Sequence, residues 1–312
     1  MFLAELQKIV DIENVRINEP MSAHTTFRIG GKTDYFVMPE NVEQIRDMIQ
    51  LCKSYKVPYY VIGNGSNLLV SDNGYRGVVI ELQSRFHKFE FVYENIGTSA
   101  VDKNSQVYVK AQAGVMLGKL GNDLANNSLT GFEFATGIPG SIGGAVMMNA
   151  GAYGGEMKDV IISATVMDSD GEVMVLDKKQ LELGYRTSII AEKGYIVLDA
   201  LMQFSAGSQQ QIKSKIAELA TCRREKQPLE YPSAGSTFKR PSGYFAAKLI
   251  SDAGLKGYKV GGAMVSMKHA GFVVNCDHAT AADIIQITDD VRAEVQKQYD
   301  VQLELEVKKL GF

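Results

Sequence analysis

The chain has 312 residues, 45% of them hydrophobic and 22% charged, with a formal net charge of −3. That balance, with a pI near 5.9, fits a globular enzyme of about two domains and argues against a nucleic acid partner. Three scattered cysteines, Cys52, Cys222 and Cys276, make neither a disulfide framework nor a metal site, so a cytoplasmic protein without a metal is expected.

The N-terminal MFLAELQKIVDIENV mixes Glu5, Lys8 and Asp11 into its apolar residues and reads as no signal peptide. Over 41–56, NVEQIRDMIQLCKSYK places Val42, Ile45, Met48, Ile49 and Cys52 on one helical face. Residues 58–82 read as a strand, a turn at Gly63-Asn64-Gly65-Ser66-Asn67, and another strand. Leu68 stands where a dinucleotide fingerprint wants its third glycine, and a strand follows instead of a helix. Both points argue against a Rossmann unit.

Residues 134–155, FATGIPGSIGGAVMMNAGAYGG, carry no charge and are dense in glycine. A membrane span needs ~20 apolar residues, but Pro139, Asn149 and the glycines would weaken an isolated helix in lipid, so no membrane insertion is expected. Two readings stay open. Glycines without Cβ let main-chain N–H groups approach a phosphate, with Ser141 capping a short helix over 142–148 whose first amides attract an anion. Alternatively, the loop packs tightly under another element. The spacing of Gly137, Gly140, Gly143 and Gly144 matches neither G-x-G-x-x-G nor a P-loop and does not decide between them. This segment and the turn 63–67 could converge on one diphosphate.

Further on, SATVMDSDGEVMVLD (163–177) predicts a hairpin about Asp170-Gly171. A polar stretch at 205–208 marks the expected domain boundary, and 210–228 follows as a helix that ends near Pro228. Between Ser236 and Asn275, Lys239, Arg240, Lys248, Lys256, Lys259 and Lys268 face only Asp252. This is either a solvated basic face or a site for an anionic ligand. Residues 281–299 predict an amphipathic helix. In VQLELEV (301–307), Val301, Leu303, Leu305 and Val307 alternate with Gln302, Glu304 and Glu306, which predicts a terminal strand. The overall pattern is α+β.

Several motifs occur together in order: GNGSN after a strand, TGIPGSIGGAVMMNAGAYGGE, GYRTSII, EYPSAGSTFKRP, GLKG, GGAMVSMKHAGFVVN and LELEV. With this set, the sequence closely resembles the UDP-N-acetylenolpyruvoylglucosamine reductase family of bacterial cell-wall synthesis, from about Asn18 to Phe312. The resemblance implies a two-subdomain, non-Rossmann FAD-binding fold of the PCMH or vanillyl-alcohol-oxidase type over 1–205 (1–82 and 83–205). A smaller α+β substrate domain follows over 206–312, whose terminal strand returns to the active site. It implies non-covalent FAD, with its diphosphate against Gly63, Asn64, Gly65, Ser66 and Asn67 and against Thr136, Gly137, Gly140, Ser141, Gly143, Gly144 and Ala145. Asn149, Ala150 and Gly151 would continue along the cofactor. UDP-N-acetylglucosamine enolpyruvate and NADPH are the implied substrates, with Tyr185, Arg223, Lys239, Arg240 and Lys256 as candidates to hold the sugar nucleotide. A monomer is expected.

The family's chemistry implies three catalytic positions. Hydride goes from NADPH to FAD and then to C3 of the enolpyruvyl group, leaving negative charge on C2 and its carboxylate. Arg186 matches the residue that stabilises that enolate, Glu306 its acidic partner, and Ser236 the proton donor to C2. A guanidinium binds a carboxylate as a fork, a glutamate helps as a neutral donor or by orienting the arginine, and a C2 carbanion is basic enough to deprotonate a serine. With only about 50 residues between Arg186 and Ser236, the chain looks like the family branch that lacks a tyrosine-bearing loop over the substrate. His269 either lines the site near Ser266 or is a packed loop residue. The same fold also serves alcohol oxidases and dehydrogenases, often with flavin bound covalently to His or Cys. His24, His87, His269 and His278 lie outside both glycine loops, which disfavours such a bond there. The intact loops speak against a third reading, a flavin-free sugar-nucleotide sensor.

Overall fold

The computed structural model describes residues 1–92 and 106–312. The chain forms two compact units, one of Met1–Arg16, Phe36–Asn64 and Val78–Thr221, the other of Ile17–Tyr35, Gly65–Gly77 and Cys222–Phe312.

In the first unit, helix α1 (Phe2–Ile9) packs on α2 (Val42–Tyr55), where Phe2 and Tyr55 meet edge to face at 5.5 Å. The helix α2 forms where its periodicity predicts. Asn41 caps it by accepting from Gln44 N, and Ile45, Met48, Ile49 and Cys52 are buried. Burial pushes the Cys52 thiol up to about 12, so it is an apolar core residue without thiolate chemistry.

The chain first lays down β1 (Val15–Pro20), β2 (Lys32–Val37), β3 (Tyr59–Ile62), β4 (Leu68–Val70) and β5 (Tyr75–Glu81). The sheet order is β1-β2-β5-β3, with β3 and β5 parallel and Tyr59 opposite Val78. A larger sheet uses β6 (Phe89–Val92), β7 (Gln106–Gln112), the short β8 (Leu129–Thr130), β11 (Ile161–Met167), β12 (Val173–Asp177) and β13 (Ile196–Ala206), ordered β12-β11-β13-β7-β6. The pair β11 and β12 is the hairpin predicted at Asp170-Gly171, with Met167 opposite Val173. Two-residue strands β9 (Gly151–Ala152) and β10 (Gly155–Glu156) pair with each other. Phe132 joins Phe134 and Phe204 in edge-to-face contacts of 5.6 and 5.7 Å beneath the glycine segment.

The helix α6 (Gln209–Lys226) follows the polar stretch 205–208, and the division between units falls within it, after Thr221. The second unit contains α7 (Ala246–Asp252), the three-stranded sheet β14 (Lys259–Val260), β15 (Ala263–Val265) and β16 (Val273–Asn275), and α8 (Ala281–Tyr299). The helix α8 buries Ile284, Ile287, Val291 and Val295 against Phe27, Leu249 and Leu303.

The predicted strand at 301–307 is not a strand. Leu305 makes one isolated bridge to Phe238, and the ladder that follows pairs β17 (Lys308–Leu310) in parallel with β4. The alternation reflects one-sided burial, since Leu303 and Val307 are buried while Gln302 and Glu304 are exposed. Its backbone groups bond loops and a side chain instead: Glu306 N donates to Thr237 O at 2.9 Å, Lys239 N to Glu304 O at 2.9 Å, and Arg292 Nε to Leu303 O at 3.1 Å.

The N-terminus of α8 is closed by its own cap residue, Thr280. Thr280 Oγ1 accepts from Asp283 N, and Asp283 Oδ2 accepts from Thr280 N, which makes a reciprocal capping box. Thr280→Ala should destabilise the protein by about 1 kcal/mol and Thr280→Ser by much less. Thermal denaturation of both variants checks this, and equal losses would contradict the cap.

Candidate functional site

In the first unit, Gly63 and Asn64 of one glycine loop meet the other loop. Asn64 Nδ2 donates to Pro139 O at 2.7 Å, and a Cβ placed on Gly63 would collide with Ser141 Oγ. Part of the glycine density therefore serves packing of protein on protein. Helix α4 (Ile142–Met147) starts where predicted, but its expected cap is absent: Ser141 is the N-cap residue and its side chain makes no cap hydrogen bond. Ile142 N donates to Val115 O and Gly143 N to Ala113 O, both at 2.8 Å. These first amides are thus spent inside the fold. By contrast, Gly137, Gly140 and Ser141 donate no backbone hydrogen bond among the described residues. Gly144 is exposed, and a Cβ there would meet nothing within 4 Å. This open backbone is the part of 136–145 that suits a diphosphate. Thr136 is tied in, its Oγ1 donating to Glu133 O at 2.8 Å, and Ala145 is buried.

Arg186 sits in the tight turn 184–187, where Gly184 N donates to Thr187 O at 3.1 Å. Its φ is +56°, a left-handed conformation that disfavours an arginine by about 1–2 kcal/mol and recurs at functional sites. The guanidinium is half-buried, lies 5.2 Å from the exposed Tyr185 ring, and donates from Nη2 to Gly151 O at 3.4 Å. Asn149 is 1% exposed and also left-handed, with φ +44°. It donates from Nδ2 to Gly184 O at 3.0 Å and to Glu156 Oε2 at 2.6 Å, and accepts from Lys158 N at 2.9 Å. Its carboxamide is thus occupied within the protein. Ala150 is buried beside it.

In the second unit, Gly65 has φ +58° and is packed so closely on the His24 carbonyl that a Cβ would collide with it. Asn67 Nδ2 donates to Glu306 O at 3.2 Å, and Lys308 N to Asn67 O at 3.0 Å, so the loop holds the backbone that carries Glu306. Ser236 lies next to Thr237, which accepts from Glu306 N, and follows the left-handed Gly235, φ +75°. The structure therefore brings Ser236 and Glu306 to one short backbone pairing. Ser66 is half-buried in the same loop. One residue here escaped the sequence reading. Thr26 donates its amide to Gly65 O at 3.3 Å, and its Oγ1 is buried without a hydrogen-bond partner. Nothing in HTTFRIGG marks Thr26 over Thr25, since only the folded loop reveals which hydroxyl is left over.

The basic candidates do not form one patch of open charge. Lys239 Nζ pairs with Glu304 Oε2 at 2.9 Å. Arg240 stacks over Phe245, its Cζ 3.9 Å from the ring centroid. Arg223 lies in the last turn of α6, and Lys256 is exposed after α7. His269 Nδ1 accepts from Gly271 N at 3.2 Å, and its ring meets Phe272 at 5.0 Å. Burial holds its pKa below the ordinary value, and the charge of Lys256 lowers it further. Among the described residues, no group of three or more His, Cys, Asp or Glu could hold a metal, and no helix is long and apolar enough to cross a membrane.

Two family models match the chain, "FAD binding domain" over residues 33–177 and "UDP-N-acetylenolpyruvoylglucosamine reductase, C-terminal domain" over 227–310. A UDP-N-acetylenolpyruvoylglucosamine reductase of Lachnoclostridium phytofermentans is 52% identical over 312 residues, covering 100% of this chain and 97% of the relative. One from Agathobacter rectalis is 53% identical over 294 residues, 94% of this chain and 93% of the relative. A crystal structure of the reductase from Thermus caldophilus superposes with a TM-score of 0.76 at 33% identity, covering 95% of this chain and 99% of that one. The α+β architecture, the paired glycine loops and identity over the full length agree: the chain belongs to the UDP-N-acetylenolpyruvoylglucosamine reductase family.

Proposed function

We propose that the chain reduces UDP-N-acetylglucosamine enolpyruvate to UDP-N-acetylmuramate in peptidoglycan precursor synthesis, using non-covalent FAD and NADPH. The observation that carries this reading is the junction of the two glycine loops at Asn64 and Pro139, within a chain whose full length matches the family. The residues present fit the cofactor on two counts. Open space at Gly144 lets a diphosphate reach the main chain. Thr26 Oγ1 is a buried polar atom lacking a partner, which a bound group can satisfy. The separate matches to 33–177 and 227–310 support keeping the cofactor's diphosphate with 1–205 and the sugar nucleotide with 206–312.

Bound FAD supplies the relay that carries hydride from NADPH to the substrate. Overall, NADPH becomes NADP⁺, C3 of the enolpyruvyl group gains the hydride, and C2 gains a proton. Arg186 binds the carboxylate as a fork and stabilises the charge that grows on it. Ser236 holds the proton for C2, while Glu306, as a neutral acid, donates to the same developing charge. Arg223, Arg240 and Lys256 attract the UDP diphosphate, and Lys239 reaches it only by leaving Glu304. The same reading makes the protein a cytoplasmic monomer serving cell shape and division.

Three outcomes test it. Gly144→Val should leave the apoprotein's stability near the parent's, because no protein atom occupies the space, yet lower flavin occupancy after purification. Full occupancy would contradict the cradle. Thr26→Val removes the unpartnered hydroxyl at nearly constant volume, so FAD affinity should fall about two- to tenfold while the apoprotein is no less stable. Unchanged affinity in a fluorescence titration would remove Thr26 from the cofactor site. Ser236→Ala should let NADPH reduce the flavin at nearly the parent rate but slow reoxidation by the enolpyruvyl substrate ~10²–10⁴-fold, with Ser236→Cys keeping more activity. Stopped-flow absorbance separates the half-reactions, and parental reoxidation in Ser236→Ala would exclude serine as the donor.

A further inference from the structure

We propose that Asn149 is a positioning residue for Arg186, coupling the glycine segment to the turn that carries the guanidinium; this rests on the reading of Arg186 as the group that stabilises the enolate. The turn 184–187 is short, its arginine is backbone-strained, and its two ends are pinned to the last residue of α4 and to Asn149 just beyond it. At one end, Asn149 Nδ2 donates to Gly184 O at 3.0 Å. At the other, Ser188 Oγ donates to Met147 O at 2.5 Å. Ser188 is itself 2% exposed and caps α5 (Ile189–Lys193) by accepting from Ala191 N. The Arg186 guanidinium then reaches back to Gly151 O, on the same stretch of chain.

Asparagine is the residue type this position requires. Its left-handed backbone suits Asn, Asp and Gly better than other residues. The side chain then uses both donors, to Gly184 O and Glu156 Oε2, and accepts from Lys158 N. That pattern fixes which end of the carboxamide is nitrogen. Glu156 is fixed in turn by Lys158 Nζ at 2.5 Å, so the carboxylate under Asn149 has its counter-charge. With both Nδ2 hydrogens committed at 1% exposure, Asn149 has no donor left for a cofactor. What it controls is where the 184–187 turn sits.

Stopped-flow kinetics on flavin-loaded protein test the coupling. Asn149→Asp keeps the backbone preference and the acceptor for Lys158 N, but sets an acceptor against Gly184 O and Glu156. Flavin content and reduction by NADPH should stay near the parent's, while reoxidation by the enolpyruvyl substrate should slow on the order of 10–100-fold through misplacement of Arg186. In an Arg186→Ala background, the same change should slow reoxidation by less than about twofold, since residues acting through one group are not additive. Ser188→Ala should give a smaller slowing that also vanishes without Arg186, and it decides the question alone if Asn149→Asp does not fold. Parental reoxidation in both variants, or equal slowing with and without Arg186, would overturn the proposal. The Arg186 Nε–H resonance, assigned by its loss in Arg186→Ala, reports position without turnover. It should be resolved in the parent and averaged in Asn149→Asp. If the parent holds flavin but does not reoxidise with the UDP-sugar, the functional reading fails, and an unchanged resonance in Asn149→Asp separately fails this inference.

Discussion

Backbone that must stay bare has few side chains of its own with which to hold its place. The glycine loops of this protein carry few groups with which to pack, and asparagine carboxamides hold them. Asn64 ties one loop to Pro139 of the other, Asn67 holds the carbonyl of Glu306, and Asn149 holds the carbonyl of Gly184. Each such bond contributes about 0.5–1.5 kcal/mol net, but losing one also strands a partner, which costs about 1–3 kcal/mol where the group is buried. The loops are therefore fixed by polar bonds to specific neighbours, and two of those neighbours lie in or beside proposed catalytic positions.

Charge is arranged with the same economy. The basic run of 236–275 reads as an open positive surface, yet Lys239 pairs with Glu304, Lys248 with Asp252, and Lys268 with Glu230. Such exposed pairs add little stability, on the order of 0–1 kcal/mol each. Their effect is to reduce the positive field, so the raw count of charges overstates what this run offers an anion.

What was legible in the sequence was mostly local. Helices α2 and α8 carry a cap residue directly before an apolar periodicity, and the β11–β12 hairpin carries Asp-Gly at its turn. The family motifs placed the glycine loops, Arg186, Ser236 and Glu306 in chain order. The failures were tertiary. Alternation over 301–307 looked like a strand because burial on one side gives that pattern whether or not a ladder exists, and here the Glu306 amide bonds to Thr237 O. Ser141 looked like a side-chain cap, but the Gly143 amide that a cap would bind goes to Ala113 O. The roles of Asn149 and Asn67 rest on bonds spanning 35 and 239 residues, distances over which no local pattern speaks.

In the proposed function, open backbone held by asparagines carries a flavin that reduces an enolpyruvyl sugar nucleotide. Its most direct test is a mass spectrum of the sugar nucleotide after incubation with the purified yellow protein and NADPH. The expected product is heavier by one hydride and one proton and forms only when both NADPH and flavin are present. Recovery of unchanged UDP-N-acetylglucosamine enolpyruvate from flavin-replete protein would contradict it.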